Sequence, residues 1–179
     1  MNRLMIPALL LSAAAVTGCS QMNGLWGGHK TASAADESGF AREAASDGMT
    51  EVRLGRLAEE RASSPEVKRF AQRMVSDHTA ADDRLRTAAE QSEIPLPISP
   101  DSQDQAKIDR LATLRGAAFD RAYMDQMVAD HRQDVTKFQS EVESPANTRI
   151  EQFAQSTLPT LREHLDMAEK VDRDVGGSG

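Results

Sequence analysis

His78, His131 and His164 are three of the four histidines in this chain, and each falls on the apolar face of a helical pattern. At about 100° per residue, Val67, Met74, His78 and Leu85 share one face, and Met124, Met127, His131 and Phe138 share another. Ile150, Phe153, Leu161 and His164 share a third. A fourth stripe of small residues, Phe40, Ala44, Gly55, Ala58 and Ala62, surrounds Glu51. Counted from the two Ser-Pro turns at Ser64 and Ser144, the four polar groups come within about one helical turn of a common layer. An imidazole or carboxylate buried on such a face needs a partner. Two chemistries provide one. Three imidazoles and a carboxylate hold a single divalent transition metal, Zn, Mn, Fe or Cu. A closed Glu–His–His–His hydrogen-bond network holds helix register without any ion. Both stay open on sequence alone.

The neighbours of these residues fill supporting roles. Asp77 and Asp130 each precede a histidine by one residue, so they sit at the helix flank. There they suit a neighbouring helix's imidazole better than their own. Asp120 and Tyr123 lie on or near the face of His131, where the tyrosine hydroxyl can reach the polar layer. Met74 and Met127 each stand four residues before a histidine. A thioether beside an imidazole suits copper, although methionine at helical spacing ordinarily fills core. The near-identical stretches "MVSDH" (74–78) and "MVADH" (127–131) read as two helices presenting one kind of face to that layer.

Four long helical segments must carry these groups, at about 36–62, 64–92, 103–142 and 147–174. Ser64, Pro65 and Glu66 make an N-cap, a first-turn proline and a first-turn acid. "IPLPISPDS" (94–102) holds three prolines in six residues and breaks the helix. The third segment changes face near Gly116, which predicts a short helix ending near Leu114 and a long one from about Ala117. Pro159 interrupts the fourth segment five residues before His164. "SP" and "FAQ" each recur, at 64–65 and 70–72 and again at 144–145 and 153–155, as two similar helical hairpins would. β-type alternation is almost lacking. The expected fold is all-α, a four-helix bundle with a short extra helix before the third long one.

The N-terminus reads as a leader. Residues 4–16 form an apolar run too short to span a bilayer, and "VTGC" closes it. That ending resembles a bacterial lipobox, which implies cleavage after residue 18 and lipid on Cys19, the only cysteine. Ser20 next to it favours the outer membrane, with the bundle facing the periplasm. Residues 19–35 then form a flexible Gly/Ser/Ala-rich tether that includes His29, and residues 36–175 form the bundle domain. Cleavage removes one arginine and no acid, so the formal charge of −7 becomes more negative. No basic stripe points to nucleic acid; the expected partner is the membrane, reached through the lipid. There is no nucleophile elbow and no phosphate-cradling loop.

The stretches "GFAREAASDGMTEVRLGRLA" (39–58), "VKRFAQRMVSDH" (67–78), "LRGAAFDRAYMDQMVADH" (114–131) and "LPTLREHL" (158–165) resemble a family of bacterial predicted outer-membrane proteins. That family carries a ferritin-like domain of unknown function. The resemblance implies a ferritin-like bundle in the cell envelope and supplies no activity. A ferritin-type di-iron centre needs Glu-x-x-His motifs. Here the positions three before the histidines are Val75, Val128 and Leu161, so di-iron chemistry is not expected.

The sequence thus reads as a lipid-anchored envelope protein with a non-catalytic binding or stress-protection role. Its rivals are a metal-binding lipoprotein using Glu51, His78, His131 and His164, and a metal-dependent oxidoreductase, which needs an open coordination position.

Overall fold

A computed structural model describes residues 34–144 and 148–176. The leader, Cys19, His29 and most of the tether lie outside the described residues, as does Pro145. The described chain is five helices: α1 (Ala34–Arg61), α2 (Pro65–Gln91), α3 (Ser102–Ala112), α4 (Gly116–Val142) and α5 (Arg149–Val175). No described helix is long and apolar enough to cross a membrane.

The helix starts follow local chemistry. The Ser64 side chain accepts from the backbone N–H groups of Glu66 and Val67, and Pro65 takes the first position, where no N–H is needed. Asp101 caps α3 and Thr148 caps α5 in the same way. Gly116 opens α4 at φ 60°, a conformation that glycine adopts without a Cβ clash. That is where the apolar pattern changes face. The helix α5 runs on through Pro159.

The long helices pair as two antiparallel hairpins, α1–α2 and α4–α5. α2 packs on α5 and α1 on α4. Lys137 reaching Asp47 and Asp120 reaching Ser63 show that α1 and α4 run antiparallel. α2 and α4 therefore run in the same direction, and residues 92–115 must travel the length of the bundle between them. One long crossover is the connection of ferritin-like bundles. α3 lies within it, against α1 and α4. Its start is fixed by a buried bond from Ser46 Oγ to Asp104 Oδ2 (2.6 Å) and by Lys107, which bridges Asp104 (3.1 Å) and Asp130 (3.0 Å).

Two apolar cores fill the bundle. One gathers Leu54, Val67, Met74, Leu111, Phe119, Tyr123 and Met127 around the α1–α2 turn. The other gathers Phe40, Leu85, Phe138, Ile150, Phe153 and Leu161 at the opposite end, with Phe40 and Phe138 in edge contact at 4.9 Å. On every long helix the residues between these two sets include one of Glu51, His78, His131 and His164. The bundle is thus two greasy halves separated by a polar layer.

Candidate metal centre

The layer assembles as the helical faces require. His78, His131 and His164 are 5%, 0% and 1% exposed, and their ring centroids lie 5.2–5.6 Å apart. One nitrogen of each ring is anchored. His78 Nδ1 is 2.8 Å from Glu51 Oε2. His131 Nδ1 donates to the Met127 carbonyl at 2.9 Å. His164 Nε2 donates to Asp77 Oδ2 at 2.9 Å. The other nitrogens, His78 Nε2, His131 Nε2 and His164 Nδ1, are buried and meet no hydrogen-bond partner among the described residues. The three rings can present ligand nitrogens that all lie within 4.8 Å of one another.

The tautomers follow from the anchors. A carbonyl only accepts, so His131 carries its proton on Nδ1 and offers a lone pair at Nε2. Asp77 also accepts from Arg73 Nε. Burial alone raises its carboxyl, but the bonds from His164 and Arg73 outweigh that and hold it below the usual range. It is an anion, so His164 Nε2 carries the proton and Nδ1 the lone pair. Burial pushes His78 and His164 down to about 4 and lowers His131 as well. All three are neutral at pH 7, as a metal ligand must be. A triangle with 4.8 Å edges has its centre about 2.8 Å from each corner, so reaching the roughly 2.0–2.1 Å of a Zn–N bond takes less than about an ångström per ring. Ligand imidazoles typically give their second N–H to a carboxylate or carbonyl, the arrangement found at His131 and His164.

The other sequence candidates are placed differently. Glu51 joins the layer on the Nδ1 side of His78 and is not in the converging group. Its Oε1 lies 3.3 Å from His131 Nδ1, whose bond goes to Met127, and accepts no hydrogen bond. Burial lifts its carboxyl to about 8, against the opposing pull of His131. Asp77 supports His164 from the neighbouring helix. Asp120 is not at the layer: it clamps the α1–α2 turn, accepting from Ser63 N (3.0 Å), Ser64 N (2.9 Å) and the Ser63 hydroxyl. Asp130 binds Lys107 and Gln126, not an imidazole. Both acids sit on the expected helix, but nearer cationic or N–H partners capture them. Tyr123 is fully buried against Phe119 and Phe70, and its hydroxyl meets no hydrogen-bond partner among the described residues. Met74 and Met127 are fully buried in the first apolar core.

Sequence reasoning missed Asp47, Asp82 and Asp134, which also face the layer. The signal was available: they stand four before Glu51, four after His78 and three after His131, which is helical spacing for a shared face.

An all-α bundle with one crossover and a buried histidine triad defines a ferritin-like helical protein without the ferritin ligand set. The chain belongs to the family described as Domain of unknown function (DUF4142), whose profile matches residues 27–171. Its fold is similar to that of a DUF305 protein from Streptomyces coelicolor described as secreted. The TM-score is 0.67 at 17% identity, over 79% of this chain and 93% of that one. A DUF305 fragment from Deinococcus radiodurans is similar at TM-score 0.66 and 17% identity, over 78% and 95%. No curated protein matches the chain.

Proposed function

We propose that this chain is an extracytoplasmic metal-binding protein that holds one transition-metal ion at His78, His131 and His164. The observations that carry the reading are that the three buried rings can each present a ligand nitrogen within 4.8 Å of the others, and that each ring has one buried nitrogen without a hydrogen-bond partner among the described residues, two of the rings having their other nitrogen tied to an acceptor that fixes the tautomer. At His131 and His164 the unpartnered nitrogen is a buried acceptor lone pair with no donor to meet it, and a cation satisfies it. All-nitrogen ligation favours copper and zinc over iron, and iron over manganese. Binding is favoured over turnover. The cavity that touches His78 has a volume of about 20 Å³, whereas substrate pockets run to roughly 300 Å³ or more. The "VTGC" leader and the structural neighbour described as a secreted protein support an extracytoplasmic site of action, with lipid on Cys19 tethering the bundle to the outer membrane.

The mature chain carrying Cys19→Ser, purified without chelator, tests the reading. Copper, zinc, iron(II) and manganese are titrated, and bound metal and thermal stability are followed. A ligand that binds only the folded state raises the melting temperature. One tightly held ion per chain and a raised melting temperature are expected for wild type and His29→Ala, and neither for His131→Ala. No stoichiometric metal and no shift with any of the four ions sinks the proposal.

A further inference from the structure

All three rings of the triad are buried. An ion therefore reaches them through a local opening of the bundle or waits for unfolding. Two spaces on the seam between α2 and α5 come close to joining. The outer one is a groove of about 430 Å³, open to solvent, whose lining includes Arg84, Ala88, Arg149, Phe153 and Ser156. The inner one is the cavity of about 20 Å³ that touches His78 and has Phe153 and Thr157 in its lining. It has room for one water-sized occupant, and so for one dehydrated ion.

Little separates the two. Phe153 lines both, and its ring packs 5.8 Å from that of Phe138, which also lines the inner cavity. Arg84 lines the groove, and its Nη2 lies 3.5 Å from the hydroxyl of Thr157, which lines the cavity. That contact is at the long end of a hydrogen bond. Arg84 is exposed, so its side chain can leave Thr157 for solvent at small cost and on a fast timescale. While it stays, its guanidinium puts a fixed positive charge in the path of an incoming cation.

We propose that the triad exchanges its ion with solution through the α2–α5 seam, from the outer groove past Phe153 to the cavity at His78, with Arg84 held by Thr157 as the gate. This rests on the triad holding an ion, and it adds the route and the residue that controls it. A gate changes the barrier and not the bound state. Its removal therefore raises the rates of binding and release by one factor and leaves Kd where it was.

Zn²⁺ is the probe, on the mature chain carrying Cys19→Ser. Release is followed by stopped flow into a chromogenic chelator, at concentrations where the rate no longer depends on chelator, and uptake by mixing metal-free protein with Zn²⁺. Arg84→Ala should raise both rates roughly tenfold, the lower end of what a fixed charge does to the encounter of ions. Thr157→Val, which frees the guanidinium without changing the size of the side chain, should move both the same way by less. Arg69→Ala removes the same charge from the far end of α2, where Arg69 pairs with Glu66, and should change neither rate. With Cys19 replaced, Ser156→Cys supplies the chain's one thiol. A bulky maleimide placed there fills the groove and should slow uptake and release together. Should Thr157→Val fail to fold, the exposed positions Arg84 and Ser156 decide the matter. Wild-type rates in both Arg84→Ala and the labelled protein overturn the route while leaving the triad's ion in place. Faster release with unchanged uptake in Arg84→Ala also overturns it, since the bound state and not the barrier has then moved. If wild type holds no zinc at equilibrium, the triad reading fails and the route with it.

Discussion

Glu51 and the imidazoles of its layer titrate in opposite senses. His78 and His164 fall from 6.5 to about 4 on folding. The unfolded chain therefore binds more protons in that window, and the stability these groups contribute is complete above pH 6.5 and lost toward pH 4. Glu51 rises from 4.5 to about 8 and Asp82 from 3.8 to about 7. There the folded chain binds more protons, so stability is lost as pH climbs through the folded values. Above pH 6.5 the histidines no longer contribute a slope. Metal-free protein should melt at a falling temperature from pH 6.5 to 8, and Glu51→Gln should flatten that decline. A flat or rising wild-type profile in chelator contradicts this.

The same contact decides a substitution. His78→Leu removes the hydrogen-bond partner of Glu51 Oε2 while Oε1 already has none. Leaving a buried acceptor unmade costs about 1–3 kcal/mol. Urea denaturation of metal-free His78→Leu should show a loss of that order. The double variant Glu51→Met/His78→Leu should lose less than the two single variants added together, because the orphaned carboxylate goes with its partner. Additive losses would show that the two side chains are not coupled.

Helices and their ends were largely legible in the sequence, because caps and breakers are local. Ser64-Pro65-Glu66 starts α2 where its chemistry says, and the face change at Gly116 divides α3 from α4. What connects one element to another was less legible. Asp120 has the right helical angle to face the layer, yet it gathers two backbone N–H groups and a hydroxyl from the α1–α2 turn. Angle gives a face and not a partner. Asp120→Asn should therefore cost about 2 kcal/mol in urea denaturation, since hydrogen bonds to a charged group contribute roughly 1.5–3 kcal/mol. Metal stoichiometry should not change. A variant that folds with wild-type stability would remove the clamp from this account.

The height of the polar layer was also readable, because the offsets from the two Ser-Pro turns fix where Glu51, His78, His131 and His164 meet. The ring of acids beside it was not, since attention to the centre of each face passes over residues one turn away. The position of α3 was hidden too: Ser46, Asp104, Lys107 and Asp130 meet only once the crossover is folded along α1 and α4. For the whole molecule, ligand present at a hundred times its Kd stabilises the fold by about 2.7 kcal/mol. Saturating zinc should accordingly raise the urea midpoint of wild type and leave that of His131→Ala unmoved. The proposed anchor has its own readout. Wild-type protein should partition with membranes in cell fractionation and Cys19→Ser with the soluble fraction; identical partitioning would remove the lipid from the account.

The triad draws one ring each from α2, α4 and α5, with the crossover and a hairpin turn between them in the chain. No short segment of the polypeptide contains two of its ligands. A nascent or translocating chain consequently does not hold the three rings together, and the proposed centre is assembled only as the last hairpin closes on the first. Under the proposed function, the ion taken up would be decided less by relative affinity than by which ions are present where folding finishes. For a chain exported before it folds, that is the composition of the envelope and not of the cytosol.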